Sequence, residues 1–177
     1  MLENFEFDLL SEALLLAEFD CGDSDINEFL KQDALNYQQE RMANTYVFHR
    51  NKVVIAFFSI LNDCLHDKGY EKYVWNVFHR KRKIPNSKRF KQYPAIKIGR
   101  LGVSVHFQQS GIAYELMDFI KGYSILEQKP ACRLLILDAY NQPKQLNYYT
   151  KNDFIFLDDS ATAGKTRLMY YDLIQLS

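Results

Sequence analysis

"HFQQSGIAYELM", residues 106–117, decides how the chain is read. Before it, "AIKIGRLGVSV" (95–105) has the β-branched, apolar character of a strand. After it, "IAYELMDFIKGYSILEQ" (112–128) puts Ile112, Leu116, Phe119, Ile120, Tyr123 and Leu126 on one helical face. The junction between them holds Gln108, Ser110, Gly111 and Ala113, small or polar residues in a chain otherwise rich in Phe and Tyr. A helix start leaves backbone N–H groups without intrahelical partners and carries the positive end of the helix dipole. Small residues there let an anion, often a phosphate, approach the backbone. The same pattern alone also fits an ordinary turn before a helix.

The neighbouring segments extend the pattern. "RLLILDAY" (133–140) is a short apolar run of the kind buried at a sheet centre. "PKQLNYYTKN" (143–152) opens on proline and reads as a short helix, with "FIFL" and "RLMYYDLI" as two further strands. Upstream, "TYVFHR" and "VVIAFFSIL" are two strands around the polar pair Asn51-Lys52. Before them, Ile26, Phe29, Leu30, Ala34 and Tyr37 recur at helical spacing, with Asp23, Ser24 or Asp25 as the cap. The first nineteen residues are ambiguous, and residues 62–94 read as a basic connection broken by proline, its start either helix or strand. These readings predict a mixed α/β (α+β) fold, with a strand, a helix and a parallel strand around a small-residue loop. That is where such folds hold phosphates.

Composition narrows the class. The chain has 177 residues, 47% of them hydrophobic, enough for one domain with a sizeable core. Cys21, Cys64 and Cys132 are odd in number and far apart, which argues for a reducing compartment such as the cytoplasm. The histidines show no metal-ligand spacing, so no metal is expected, and no run is apolar enough to span a bilayer. The net charge of zero conceals a division: residues 1–71 carry 14 acidic and 5 basic side chains, and residues 72–114 carry 10 basic and no acidic ones. Such asymmetry points to an anionic partner, or to two parts of the surface that neutralise each other.

At Gln108-Gln109-Ser110-Gly111-Ile112-Ala113 the chain resembles the acetyl-CoA signature of the GNAT (Gcn5-related) N-acetyltransferases: Gln or Arg, two residues, Gly, one residue, then Gly or Ala. "NYYTKNDF" (147–154) is similar to that family's "xFYxxxGF" segment, and "FDCGDSDINEFLKQDA" (19–34) and "IGRLGV" (98–103) to its toxin subgroup, which belongs to toxin–antitoxin pairs and acetylates aminoacyl-tRNA. Three positions depart from the family. Ser110 stands for a frequent Arg or Lys, Gln109 for a frequent Gly, and Asp153 for the Gly of "GF".

The resemblance implies one GNAT-like domain over residues 1–177, a mixed central sheet with splayed parallel strands flanked by helices, and a basic insertion at about 62–95. It implies acetyl-CoA as co-substrate, with transfer to a primary amine by direct attack. The alternatives are a toxin acting on aminoacyl-tRNA and a CoA- or partner-binding protein without catalysis. Leu101, Val103 and Val105 are expected to line the pantetheine arm with their backbone, and Gln108 to Ala113 to cradle the pyrophosphate. Asn141 is either a further cofactor contact or the residue that turns the chain. Tyr149 is the expected general acid for the departing thiolate; by composition alone it is one half-buried aromatic among 12 tyrosines. Glu115, Asp138, His106 and a water all stand as candidates for the general base. Arg80, Arg82, Lys83 and Arg89, interleaved with Phe78, Phe90 and Tyr93, are candidates for gripping a tRNA backbone, or else they form a solvated loop. A small antitoxin is a further implied partner, and a homodimer is compatible with the family.

Overall fold

The computed structural model describes residues 1–126, 131–160 and 163–176. Among the described residues, seven strands form a mixed sheet in the order β1-β2-β3-β4-β5-β7-β6. They are β1 (Glu6–Leu9), β2 (Asn44–Arg50), β3 (Val53–His66), β4 (Gln92–Val103), β5 (Leu134–Tyr140), β6 (Ile155–Phe156) and β7 (Thr166–Asp172). The helices are α1 (Ser24–Glu28), α2 (Ala34–Gln39), α3 (Lys72–Lys81), α4 (Ile112–Leu126) and α5 (Pro143–Lys151). The expected α/β class and the parallel β4–β5 pair are both present. That pair is registered only from Ala95↔Leu134 to Lys97↔Ile136, a short stretch of two longer strands, as expected of splayed strands.

The chain clusters into two compact units, one of residues 1–61 with 98–121 and one of residues 62–97 with 122–176. β3 and β4 each supply strand residues to both.

In the first unit, Asn51 and Lys52 both have positive φ (50° and 69°), the two-residue turn whose twist suits a hairpin. It sets Arg50 opposite Val53 and makes β2 and β3 antiparallel. Asp23 caps α1 by accepting the Ile26 N–H. A π-helical segment, Phe29–Asp33, joins α1 to α2. Phe29, Leu30 and Ala34 are buried as the spacing predicts, whereas Tyr37 is exposed. They pack with Phe19, Val47, Val54 and Phe57. Each such large side chain contributes about 1.5–3 kcal/mol when fully buried.

In the second unit, residues 62–95 are ordered into the end of β3, α3, a 3₁₀ turn (Asn86–Lys88) and the start of β4. Trp75 and Phe78 of α3 pack on Tyr93, Leu134, Ile136 and Tyr170. The Trp75 indole N–H donates to the Phe90 carbonyl at 3.0 Å, and the Phe90 N–H donates to the Tyr93 hydroxyl at 2.9 Å. Phe78 and Tyr93 are thus core residues rather than stacking platforms.

Two helical details differ from the sequence reading. Leu126 is 75% exposed while Met117 is fully buried, and Glu127 and Gln128 lie outside the described residues. At the C-terminus, β7 stops at Asp172 and Leu173–Leu176 form a 3₁₀ turn. Among the described residues, no helix is long and apolar enough to cross a membrane.

Candidate active site

In the first unit, the end of β4 and the loop behind it are clasped by residues 19–23. The Val105 N–H donates to the Asp20 carbonyl and the Ser104 N–H to the Ile55 carbonyl, both at 2.8 Å. Gln108 donates its side-chain amide to the Cys21 carbonyl (2.8 Å) and to the Val103 carbonyl (3.0 Å). The Gln108 amide therefore splints the loop to β4 and to the clasp. The clasp is braced in turn: the Asp20 carboxylate accepts from the Gly22 N–H and from the Asn27 amide, which hold its pKa below the usual carboxylate range. This gives the "FDCGD" stretch a physical role.

The loop conformation is set by two left-handed residues. Gln109 has φ 62° and Gly111 φ 93°, and the Ser110 hydroxyl closes the turn on the Phe107 carbonyl. Successive amides in such a turn form a concave nest for an anion. A Cβ on Gly111 would meet nothing within 4 Å beyond its chain neighbours, so the space beside it is open. α4 starts at once, with the Tyr114 and Glu115 N–H groups both donating to the Gly111 carbonyl. Leu101 is half-buried, Val103 buried and Val105 exposed along this same path. Close packing explains the second glycine of "GRLGV". A Cβ on Gly102 would sit 2.8 Å from the Phe57 ring.

In the second unit, Tyr149 lies in the last turn of α5, and the end of that helix fixes it. The Phe154 N–H donates to the Tyr149 carbonyl and the Asp153 N–H to the Thr150 carbonyl, each at 3.0 Å. This is the two-bond C-terminal cap that requires a left-handed residue, here Asp153 at φ 63°. The Tyr149 and Phe154 rings meet edge-on at 5.9 Å, the apolar contact that accompanies this cap. Burial, with a lesser contribution from Tyr140, pushes the Tyr149 phenol up to about 12. Gln109 and Asp153 thus keep the backbone conformation a glycine would adopt. Asn141 donates its side-chain amide to the Gly164 carbonyl at 3.1 Å.

The candidate bases and the basic residues divide by environment. Glu115 accepts from the Leu2 N–H at 2.7 Å and pairs with the Met1 amino group. His106 is exposed on a 3₁₀ turn. Asp138 pairs with Lys97 at 2.7 Å. Arg80, Lys83 and Arg89 are exposed. Arg82 is not; its side chain is 13% exposed, 3.7 Å from Asp172 and over the Tyr170 ring. Its charge belongs to the interior. Tyr73, beside Lys72, and Phe90 are exposed, at 73% and 60%.

Neither a protein-family model nor a curated protein sequence matches the chain. Solved structures do, and what they show is the fold: the chain shares the GNAT fold with AtaT and KacT. AtaT complexed with acetyl-methionyl-tRNAfMet matches with a TM-score of 0.73 at 18% identity, over 97% of this chain and 96% of that one. A tyrosine-to-phenylalanine mutant of KacT matches with a TM-score of 0.72 at 19% identity, over 98% and 99% of the two chains. AtaTR bound with AcCoA matches at 0.68 and 19% identity, over 97% and 95%.

Proposed function

We propose that this protein is an acetyl-CoA-dependent N-acetyltransferase whose acceptor is the primary amine of aminoacyl-tRNA. The observation that carries the reading is the loop Gln108–Ala113, with left-handed Gln109 and Gly111, open space above Gly111 and a 15-residue helix behind it. That arrangement suits a pyrophosphate, and the amides of residues 109–113 would hold it. The backbone of Leu101 to Val105 would align the pantetheine arm. Bound acetyl-CoA supplies an activated thioester, and the chain's task is to hold it against a neutral amine. Proximity of that kind supplies about 7–11 kcal/mol at its best.

Tyr149 would stabilise the departing thiolate. With a pKa of about 12 it stays protonated throughout the physiological range. A thiol near 8.5 is the stronger acid, so Tyr149 acts as a hydrogen-bond donor that keeps most of its proton. The tRNA reading draws support from two observations: the fold shared with AtaT, which has been crystallised with an acetylated aminoacyl-tRNA, and the exposed basic and aromatic side chains of residues 72–91. An antitoxin partner rests on AtaT, which has been solved with the C-terminus of AtaR. Three free cysteines suit a cytoplasmic setting.

The test is transfer of labelled acetyl from acetyl-CoA to a panel of charged tRNAs and to free amines. Acetylated aminoacyl-tRNA is the expected product. Acetylation confined to peptides or small amines would replace tRNA by a general amine, and no transfer to any acceptor would remove the activity.

A further inference from the structure

In the second unit, the exposed run Lys88-Arg89-Phe90-Lys91 lies between a 3₁₀ turn and β4, yet its backbone is tied down at every residue. The Lys88 N–H donates to the Pro85 carbonyl at 2.8 Å and the Arg89 N–H to the Asn86 carbonyl at 3.4 Å. Phe90 is clamped on both sides. Its N–H donates to the Tyr93 hydroxyl at 2.9 Å, and its carbonyl accepts the Trp75 indole N–H at 3.0 Å. The Lys91 carbonyl accepts the Asp67 N–H, also at 3.0 Å. Trp75 and Tyr93 are buried, and the Tyr93 hydroxyl lies 3.1 Å from Nε2 of buried His79. The polar tips of two core aromatics therefore hold one loop residue, whose own ring stays in solvent.

Single apolar side chains are common on protein surfaces, and an exposed Phe alone means nothing. The charges around this one give it meaning. Lys81 and Arg82 are matched by Asp159 and Asp172, whereas among the described residues no carboxylate pairs with Lys88, Arg89 or Lys91. Arg89 Nε donates to the Ile84 carbonyl at 3.3 Å, which holds that guanidinium beside the loop. A fixed ring among unmatched cations meets two needs of one ligand class: a face for a base, and positive charge for the phosphates on either side. Bases in a duplex are already stacked on one another, so the ring has a partner only in an unpaired strand. We propose that Phe90, clamped by Trp75 and Tyr93 and flanked by Lys88, Arg89 and Lys91, is a stacking platform for an unpaired nucleotide of a single-stranded nucleic acid. Placing that strand in the acceptor tRNA, whose loops and 3′ end are unpaired, rests on the reading above. The loop is fixed before the ligand arrives, so little ordering entropy opposes binding. An anionic membrane is the rival partner, but membrane binding grows with the apolar area inserted, and Phe90 is the single apolar residue of the run.

The probe is a fluorescent oligouridylate dodecamer, which neither pairs nor stacks much on itself, with an RNA duplex of equal length as control. Fluorescence anisotropy at low salt is expected to show both binding. Phe90→Ala should weaken oligouridylate binding about fivefold or more, the loss of one stacked base, and duplex binding by less than about twofold. Phe90→Tyr should keep the parent's affinity, and Phe90→Leu, apolar but without a π face, should not. Lys88→Gln combined with Lys91→Gln should weaken both ligands and flatten their salt dependence. All these positions are exposed, so the variants should unfold with the parent. In transfer assays Phe90→Ala should raise KM for charged tRNA by a factor similar to its loss of oligouridylate affinity, while KM for acetyl-CoA stays within about twofold.

No oligouridylate binding by the parent, unchanged affinity in folded Phe90→Ala, equal losses for single strand and duplex, or full affinity in Phe90→Leu would each overturn the platform. Binding to phosphatidylserine vesicles alone, lost in Phe90→Ala, would overturn it in favour of a membrane. The two readings separate cleanly. Oligouridylate binding that depends on Phe90, with no transfer to any acceptor, keeps the platform and removes the transferase. Transfer to charged tRNA, with KM and oligouridylate affinity both unchanged in Phe90→Ala, keeps the transferase and removes the platform. A loss of oligouridylate affinity with an unchanged KM keeps the platform and removes its place in the acceptor.

Discussion

Tyr149 is held from both sides, by the helix cap at its carbonyl and by Phe154 at its ring. Replacing it with Phe removes one hydroxyl and leaves those interactions in place. Turnover is expected to fall by about 10²-fold, the lower end of the range for proton-transfer groups, because a phenol at about 12 donates a hydrogen bond more readily than its proton. The affinity for acetyl-CoA should stay near the parent's, which calorimetry checks. The same hydroxyl has a signature in alkali. Its folded pKa lies above the unfolded value of about 10, so its contribution to stability is complete below about 10 and is lost as pH rises through about 12. Unfolding midpoints of the parent and of Tyr149→Phe should therefore diverge only in that window, the parent losing more.

The strand–loop–helix element was legible because its apolar period changes from two to 3.6 across residues with little side chain. Its backbone was not. Gln109 and Asp153 looked like departures from a glycine pattern, and only the structure assigns both to the left-handed region, where a side chain carries strain. Gln109→Gly should stabilise the protein by about 0.5–1 kcal/mol, since relief of that strain outweighs the entropy of an added glycine. Gly111→Ala should destabilise it by about 1–2 kcal/mol, and thermal unfolding distinguishes the two signs. Gly111→Glu adds a negative charge where the pyrophosphate is proposed to sit, so a folded variant should lose acetyl-CoA affinity in calorimetry. The splint made by Gln108 was equally hidden. Its partners are the carbonyls of Cys21 and Val103, and one of them lies 87 residues away in sequence.

At the scale of the molecule, charge behaves in the same way. The run of basic residues from Arg80 to Lys91 was plain in the sequence, but Arg82 is committed to Asp172, a partner that no local pattern reveals. The two kinds of basic residue should therefore respond differently to reversal. Arg80→Glu, Lys83→Glu and Lys91→Glu together alter only exposed positions. They should leave unfolding nearly unchanged while flattening the salt dependence of tRNA binding, by about 0.7–0.9 in log K per log salt for each phosphate that is no longer neutralised. Arg82→Glu should instead unfold the protein at lower temperature. It sets a second carboxylate beside buried Asp172, which Arg133 still holds by hydrogen bonds of 3.0 and 2.8 Å, so the repulsion and not a wholly unpaired charge drives the loss.

The interleaving of the two compact units also governs how the protein is made. The first unit draws on residues 98–121, and the second begins at residue 62, before the first is complete. During translation, a ribosome that stalls anywhere before Lys121 releases a chain in which neither unit has all its segments. The nest at Gly111 would then have no finished helix behind it, and Tyr149 would not yet exist. Acetyl transfer of the kind proposed thus becomes available only once Tyr149 and the cap behind it have been made, so termination before that point yields no partially active product.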